Sequence, residues 1–174
     1  MHEYGYYEVR CKLQHEAPWR TAFWLQAPRV ADESPEPEQA GVEGDIMESF
    51  SPGSYIPHFN HWGGYGENHK FANSGGFNRR AENDDAISAS LDEFHTFAVD
   101  WSKDGYTFYV DGKQSGIRIE SPVSDTEQFI LLFTECKGYR DSVPGYKGSD
   151  KFGHGIKDCF IVDYVRVFEE IQPA

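Results

Sequence analysis

Three carboxylates fall within six residues in the stretch Val42-Glu43-Gly44-Asp45-Ile46-Met47-Glu48-Ser49-Phe50. The interleaved apolar positions mark a strand, where alternate side chains share a face, so Glu43 and Asp45 point the same way. Glu48 lies five residues beyond Glu43, an odd offset that in a regular strand turns it to the opposite side. One extra residue bulged between Asp45 and Glu48 returns it to the shared face, and bulges are common beside active sites. Glu43 and Glu48 then stand about four strand steps apart, roughly 13 Å between Cα atoms. Two glutamates leaning inward can bring their carboxyls toward the ~5–5.5 Å at which one attacks a glycosidic carbon and the other handles protons. Asp45 between them would hold the pair electrostatically and orient one of them. The competing explanation is an acidic strand with a solvated face, because Asp and Glu usually lie outside.

The 174 residues are most simply one domain over 1–174, long enough for a hydrophobic core. A net charge of −13 and a pI near 4.8 argue against nucleic acid, which demands a basic face, and against anionic membrane surfaces. No apolar run reaches the ~18–20 residues that span a bilayer, and Met1-His2-Glu3 does not begin a signal peptide. Aromatic residues make up 16%; they favour strands, and their planar rings can line a sugar groove. Cys11, Cys136 and Cys159 are odd in number, with no C-x-x-C, which disfavours zinc. Three buried reduced thiols are expected, with one disulfide plus a free thiol as the alternative.

Elements that could position the carboxylates follow from period-two alternation. Residues 3–14 set Tyr7, Val9, Cys11 and Leu13 against Glu8, Arg10 and Lys12, a half-buried antiparallel strand. A turn at His15–Pro18 leads to a more apolar strand over Thr21–Ala27. Residues 28–41, acidic and Pro-rich, read as an exposed loop within the domain. Residues 51–79 are Gly-rich and loop-like, with a short strand at His58–Trp62 beside the acidic one. Further strands are expected at 87–91, Phe94–Trp101, Tyr106–Gly112 after a Lys103-Asp104-Gly105 turn, Gln128–Cys136 and Cys159–Phe168, with a loop over 137–157. No helix-period segment and no repeat stands out. His58, His61 and His69 match no common metal-site spacing.

The Glu43-x-Asp45-x-x-Glu48 pattern resembles the bulged signature of glycoside hydrolase family 16. So do Tyr4-Gly5-Tyr6-Tyr7-Glu8-Val9-Arg10 followed by Trp19 and Ala22-Phe23-Trp24-Leu25. The pair Phe94-His95-Thr96-Phe97-Ala98-Val99-Asp100-Trp101 and Tyr106-Thr107-Phe108-Tyr109-Val110-Asp111-Gly112, and the closing Asp163-Tyr164-Val165-Arg166-Val167, extend the likeness along most of the chain. The resemblance implies an all-β fold, a two-sheet antiparallel jelly-roll sandwich of concanavalin A-like type with an open sugar groove. Glu43 would be the nucleophile and Glu48 the acid/base, its pKa raised by neighbouring carboxylates, with Asp45 orienting Glu43. No cofactor is required for that chemistry. Trp19 or Trp24 or both would line a sugar subsite, core packing being the alternative for Trp24. His61 would hydrogen-bond in the groove and Trp62 stack on sugar; Glu135 would contact sugar hydroxyls or cap its strand. Asp163 is the candidate ligand of a structural calcium.

The implied partner is a polysaccharide, a laminarin-like β-1,3-glucan or a marine galactan, cut in a secreted or periplasmic setting. Heavily sulfated polymers fit poorly unless Arg20, Arg79, Arg80 and Arg140 gather. The family usually carries a few dozen residues before the Tyr-Gly-Tyr stretch, whereas this sequence starts almost on it. The expectation is a sandwich lacking its first strands, as a monomer or an edge-paired dimer. A carbohydrate-binding domain without hydrolysis and a transglycosylase on the same scaffold are the rival functions.

Overall fold

Alternation along each strand sorts side chains between an interior and two outer faces. A computed structural model describes residues 1–14, 19–32, 36–50, 55–78, 93–136 and 159–169. In β1 (Gly5–Lys12), Tyr7, Val9 and Cys11 are sealed from solvent while their neighbours are half-buried. The other strands are β2 (Trp19–Gln26), β3 (Glu43–Phe50), β4 (Tyr55–Trp62), β5 (Lys70–Asn78), β6 (His95–Ser102), β7 (Gly105–Val110), β8 (Lys113–Gln114), β9 (Phe129–Cys136) and β10 (Ile161–Phe168). They form two antiparallel five-stranded sheets, ordered β10-β1-β6-β7-β8 and β5-β4-β3-β2-β9. The fold is thus the expected all-β jelly-roll sandwich. Between the sheets lie Tyr7, Phe23, Ile46, Phe97, Trp101 and Phe108, and Trp101 Nε1–H donates to the Ser124 carbonyl at 3.2 Å.

Register irregularities do most to shape the site. Along β2 and β3, Phe23 pairs with Met47 but Trp24 with Asp45, so Ile46 is the extra residue of a bulge, between Asp45 and Glu48 as their odd spacing requires. A second bulge sits in β5, where His58 pairs with Gly75 and Phe59 with Asn73. The skipped Ser74 turns to the other sheet: Ile117 N–H donates to its carbonyl at 2.6 Å, and its hydroxyl donates to the Ile117 carbonyl at 2.5 Å. That closes one end of the sandwich. β3 packs over β6, and the other edge strands, β9 and β10, lie at the opposite edges of their sheets.

Several expectations need correction. The 28–41 segment is not simply an exposed loop, for Val30 and Ala40 are buried and α1 (Pro37–Ala40) is one helical turn. The Gly-rich run after β4 is a full strand, β5, because backbone pairing with β4 outweighs weak side-chain propensity. Glycine suits it: a Cβ at Gly76 would come within 2.3 Å of the Ile56 carbonyl oxygen. Cys11 is buried but Cys159 is exposed, and both are free thiols. The turn at 15–18, the strand at 87–91, the loop at 137–157, and Arg79, Arg80 and Arg140 lie outside the described residues.

Candidate active site

Cross-strand partners share a face, so the register states which side chains meet. On β2, Arg20, Ala22, Trp24 and Gln26 lie opposite Phe50, Glu48, Asp45 and Glu43 of β3. On the far side, Glu43 and Asp45 face His61 and Phe59 of β4. The Ile46 bulge keeps Glu48 in line with the other two. All three carboxylates therefore share one face, and that face holds a cavity of about 320 Å³ lined by Arg20, Trp24, Gln26, Glu43, Asp45, Tyr65 and Phe133.

Each carboxylate has its own partners. Glu43 Oε2 accepts from the Tyr65 hydroxyl and from Gln26 Nε2 at 3.4 Å, and Gln26 Nε2 also donates to Tyr65 Oη at 3.0 Å. Asp45 is buried, with Oδ2 3.2 Å from His61 Nε2. Glu48, also buried, accepts from Arg20 Nε at 3.1 Å and from Nη2. Arg20 Nη1 donates to Glu135 at 3.1 Å, and its guanidinium lies 5.4 Å from the ring centroids of both Phe50 and Phe133. Arg20 thus ties β3, β2 and β9 together under the groove.

Burial, reinforced by the Glu48 and Glu43 charges, pushes the Asp45 carboxyl up to about 7 against the lowering effect of His61. Asp45 is 5% exposed, which is why burial dominates its titration. Burial alone would lower His61, but its hydrogen bond to Asp45 and the surrounding carboxylates outweigh that and raise it. His61 Nδ1 lies 3.0 Å from His69 Nε2, and the two rings stack at 5.1 Å. A chain of polar contacts thus runs from buried Asp45 to exposed His69. Burial and the Glu43 carboxylate raise the Tyr65 phenol, which stays protonated as a donor.

The expected site residues divide by strand parity. Glu43, Asp45 and Trp24 line the cavity; Glu48 and Glu135 are joined to it through Arg20, and His61 through Asp45. Trp24 packs edge-on to Phe133, with centroids 6.1 Å apart, and its indole N–H is buried without a hydrogen-bond partner. Trp19 and Trp62 are not brought there. Trp19 shares the inner face of β2 with Thr21, Phe23 and Leu25, and Trp62 packs against the core from the face of β4 that carries His58. A side chain one or five positions from a groove-facing neighbour points away from it. His58 is core-facing, so the three histidines do not converge. Gln26, Tyr65, His69 and Phe133 went unremarked as site residues. Parity with Trp24 could have found Gln26, whereas Tyr65 and His69 arrive on a loop that carries no periodic signal.

Asp163, the expected calcium ligand, is engaged by a cation of the protein itself. It is the residue skipped in the β1–β10 register, and its Oδ2 receives Arg10 Nη1 at 2.6 Å. Among the described residues, the grouping of acidic and histidine side chains close enough to share a cation is Glu43, Asp45 and His61, not Asp163.

A β-sandwich whose groove holds three carboxylates on one bulged strand defines a class of carbohydrate-active folds. The chain belongs to the glycosyl hydrolases family 16, whose model matches residues 1–121, a span holding the whole trio. No curated protein matches it. Solved structures do. The laminarinase catalytic domain of Thermotoga maritima MSB8 is 21% identical with a TM-score of 0.67, over 98% of this chain and 66% of that one. LamAcat from Zobellia galactanivorans is 17% identical with a TM-score of 0.64, over 97% and 65%. The κ-carrageenase of Pseudoalteromonas carrageenovora is 22% identical with a TM-score of 0.55, over 76% and 51%. At these identities the likeness is one of fold, and the chain spans about two thirds or less of the length of these three proteins.

Proposed function

We propose that this chain is a retaining, endo-acting glycoside hydrolase that cleaves a β-linked polysaccharide by double displacement. The observation carrying this reading is the Ile46 bulge, which puts Glu43, Asp45 and Glu48 on one sheet face, with Glu43 and Asp45 lining the cavity there and Glu48 against its Arg20. Glu43 attacks the anomeric carbon as the glycosidic C–O bond breaks and the leaving oxygen takes a proton from Glu48. Glu48 then removes a proton from water, which displaces Glu43 and restores both carboxyls. Asp45 borders the nucleophile, and its protonation, shared with His61, sets the local negative charge. The Tyr65 and Gln26 donors fix the Glu43 rotamer. Trp24, which lines the cavity, offers its ring to a sugar. No metal or organic cofactor enters these steps.

A neutral, laminarin-like β-1,3-glucan suits the site better than a sulfated galactan. Arg20, the cation lining the cavity, is already engaged by Glu48 and Glu135, and the protein carries a net charge of −13. A polymer of this size is met outside the cytoplasm, which fits a secreted or periplasmic enzyme. The test is a reducing-sugar assay on laminarin, mixed-linkage β-glucan, agarose and κ-carrageenan, with wild type beside Glu43→Gln. Release from laminarin that vanishes in the variant is expected. Activity retained by a folded Glu43→Gln protein would overturn the assignment, and silence of wild type on all four would favour binding without hydrolysis.

A further inference from the structure

The register lays one row of side chains straight across the groove. Phe71 on β5, His61 on β4, Glu43 on β3, Gln26 on β2 and Phe129 on β9 are successive cross-strand partners. Glu43 and Gln26 line the cavity, so the whole row belongs to the groove face. Its middle is polar and its two ends are apolar. Phe71 is 60% exposed and Phe129 is 44% exposed, each on an edge strand of the same sheet. Neighbouring strands lie about 4.8 Å apart, which places each ring roughly 10 Å from β3 and makes the row on the order of 20 Å long.

Single exposed apolar residues need no explanation. Two phenylalanines equally far from Glu43, on one row and one face, do. Phe71 is also braced: its ring centroid lies 6.0 Å from His61, 6.4 Å from His69 and 5.9 Å from the edge-on Phe59. Bracing on one side while most of the ring stays exposed makes a fixed platform. A phenyl ring has no hydrogen-bonding group, so the partner it suits is an apolar face of matching size, such as the C–H face of a pyranose.

We infer that Phe71 and Phe129 are the outer sugar platforms of the groove, stacking on a β-glycan that runs across the strands and extends past Glu43 on both sides. The inference rests on the hydrolase reading above and adds to it the length and direction of the bound chain. A site anchored at both ends favours internal cuts and long chains, because only a glycan spanning the row gains both contacts.

The experiment pairs binding with turnover, so that the two readings can fail separately. Gel retardation in laminarin-containing gels and hydrolysis of a ladder of β-1,3-gluco-oligosaccharides would be measured for wild type, Phe71→Ala, Phe129→Ala and Phe71→Trp, with thermal melts to confirm folding. Each alanine variant is expected to bind laminarin about five- to tenfold more weakly, in the range of one lost aromatic contact. The loss in kcat/KM should grow with oligosaccharide length and appear mainly in KM, and Phe71→Trp should recover affinity. Alanine variants that bind as wild type does, or lose equally on every length, would overturn the platforms while leaving the hydrolase intact. Retardation of wild type that weakens in the alanine variants, without hydrolysis of any substrate, would uphold the platforms and overturn the hydrolase. Neither retardation nor hydrolysis on any glycan would overturn both.

Discussion

The carbonyl of Ile46, the residue skipped by the β2–β3 register, accepts a hydrogen bond from His58 Nδ1–H at 2.7 Å. His58 Nε2 must then accept from the Ser115 hydroxyl at 2.8 Å, and the ring stacks on Phe108 at 4.9 Å. His58 therefore pins the bulge that aligns the carboxylates, although it never faces the groove. Replacing it with Leu strands a buried carbonyl and a buried hydroxyl, a cost of about 2–4 kcal/mol. Urea melts should show that loss, and kcat should fall with it. Burial holds the His58 imidazole down to about 4 against the opposing pull of the Ile46 carbonyl. Its folded pKa is depressed, so its contribution to stability is full above the unfolded value of about 6.5 and is lost as pH falls toward 4. Asp45 has the opposite sense, a carboxyl raised to about 7. The folded state then binds more protons than the unfolded between about pH 4 and 7, and stability declines as pH rises through that window. His61, raised by the same carboxylates, declines in the same direction. Asp45→Asn should flatten this slope, raising the urea midpoint at pH 8 relative to wild type while depressing turnover; an unchanged pH 8 midpoint would count against a raised Asp45.

At the scale of elements, the closed end of the sandwich depends on a backbone contact as much as on side chains. Gly116 has a φ of +75°, and a Cβ there would lie 2.3 Å from the Ser74 carbonyl oxygen. Gly116→Ala should therefore push the 115–117 segment off the β5 bulge, costing about 2–4 kcal/mol through strain and displaced packing. Thermal melts would read that as a lower Tm, and the Ser115 hydroxyl would move with it, away from His58. This closure was not legible in the sequence. Gly75-Gly76 and the asparagines beside them carry no strand signal, so β5 exists through its pairing with β4 alone. Of the strands that were legible, β1 and β7 bury mainly one face and so print a period of two, whereas β3 is buried on both and was legible through its carboxylates. The β3 bulge was legible too, because an odd spacing of carboxylates has few other solutions. Parity also carried information left unused: His61 and Trp62 are adjacent, so one of the two faces the groove, and Trp19 and Trp24 differ by five, so the same holds for them. Tyr65 and His69 reach the site through a loop, where nothing local fixes a direction.

At the scale of the whole molecule, the described residues form a sandwich joined at one end through Ser74 and Ile117, with β9 and β10 as the edge strands at the other. These two strands each offer eight residues of backbone, and positions that should face the interior meet solvent. Leu132 pairs with buried Phe23 yet is 37% exposed, and Val162 pairs with buried Cys11 yet is 38% exposed. Among the described residues no strand pairs with the outer edge of β9 or β10, and a backbone edge beside exposed apolar side chains is a template for another strand. A second copy of this chain offers the same edge for pairing. One edge-to-edge contact falls short of the ~1,200–2,000 Å² of a stable interface, so association should be weak and concentration-dependent. Light scattering across a dilution series should show mass rising with protein concentration. Lysines at Leu132 and Val162 together would set charge against charge along the seam and should keep the chain monomeric throughout. Both positions face the seam and not the groove, so laminarin retardation by that double variant should match wild type. Mass independent of concentration in wild type would show that this edge is not a site of self-pairing.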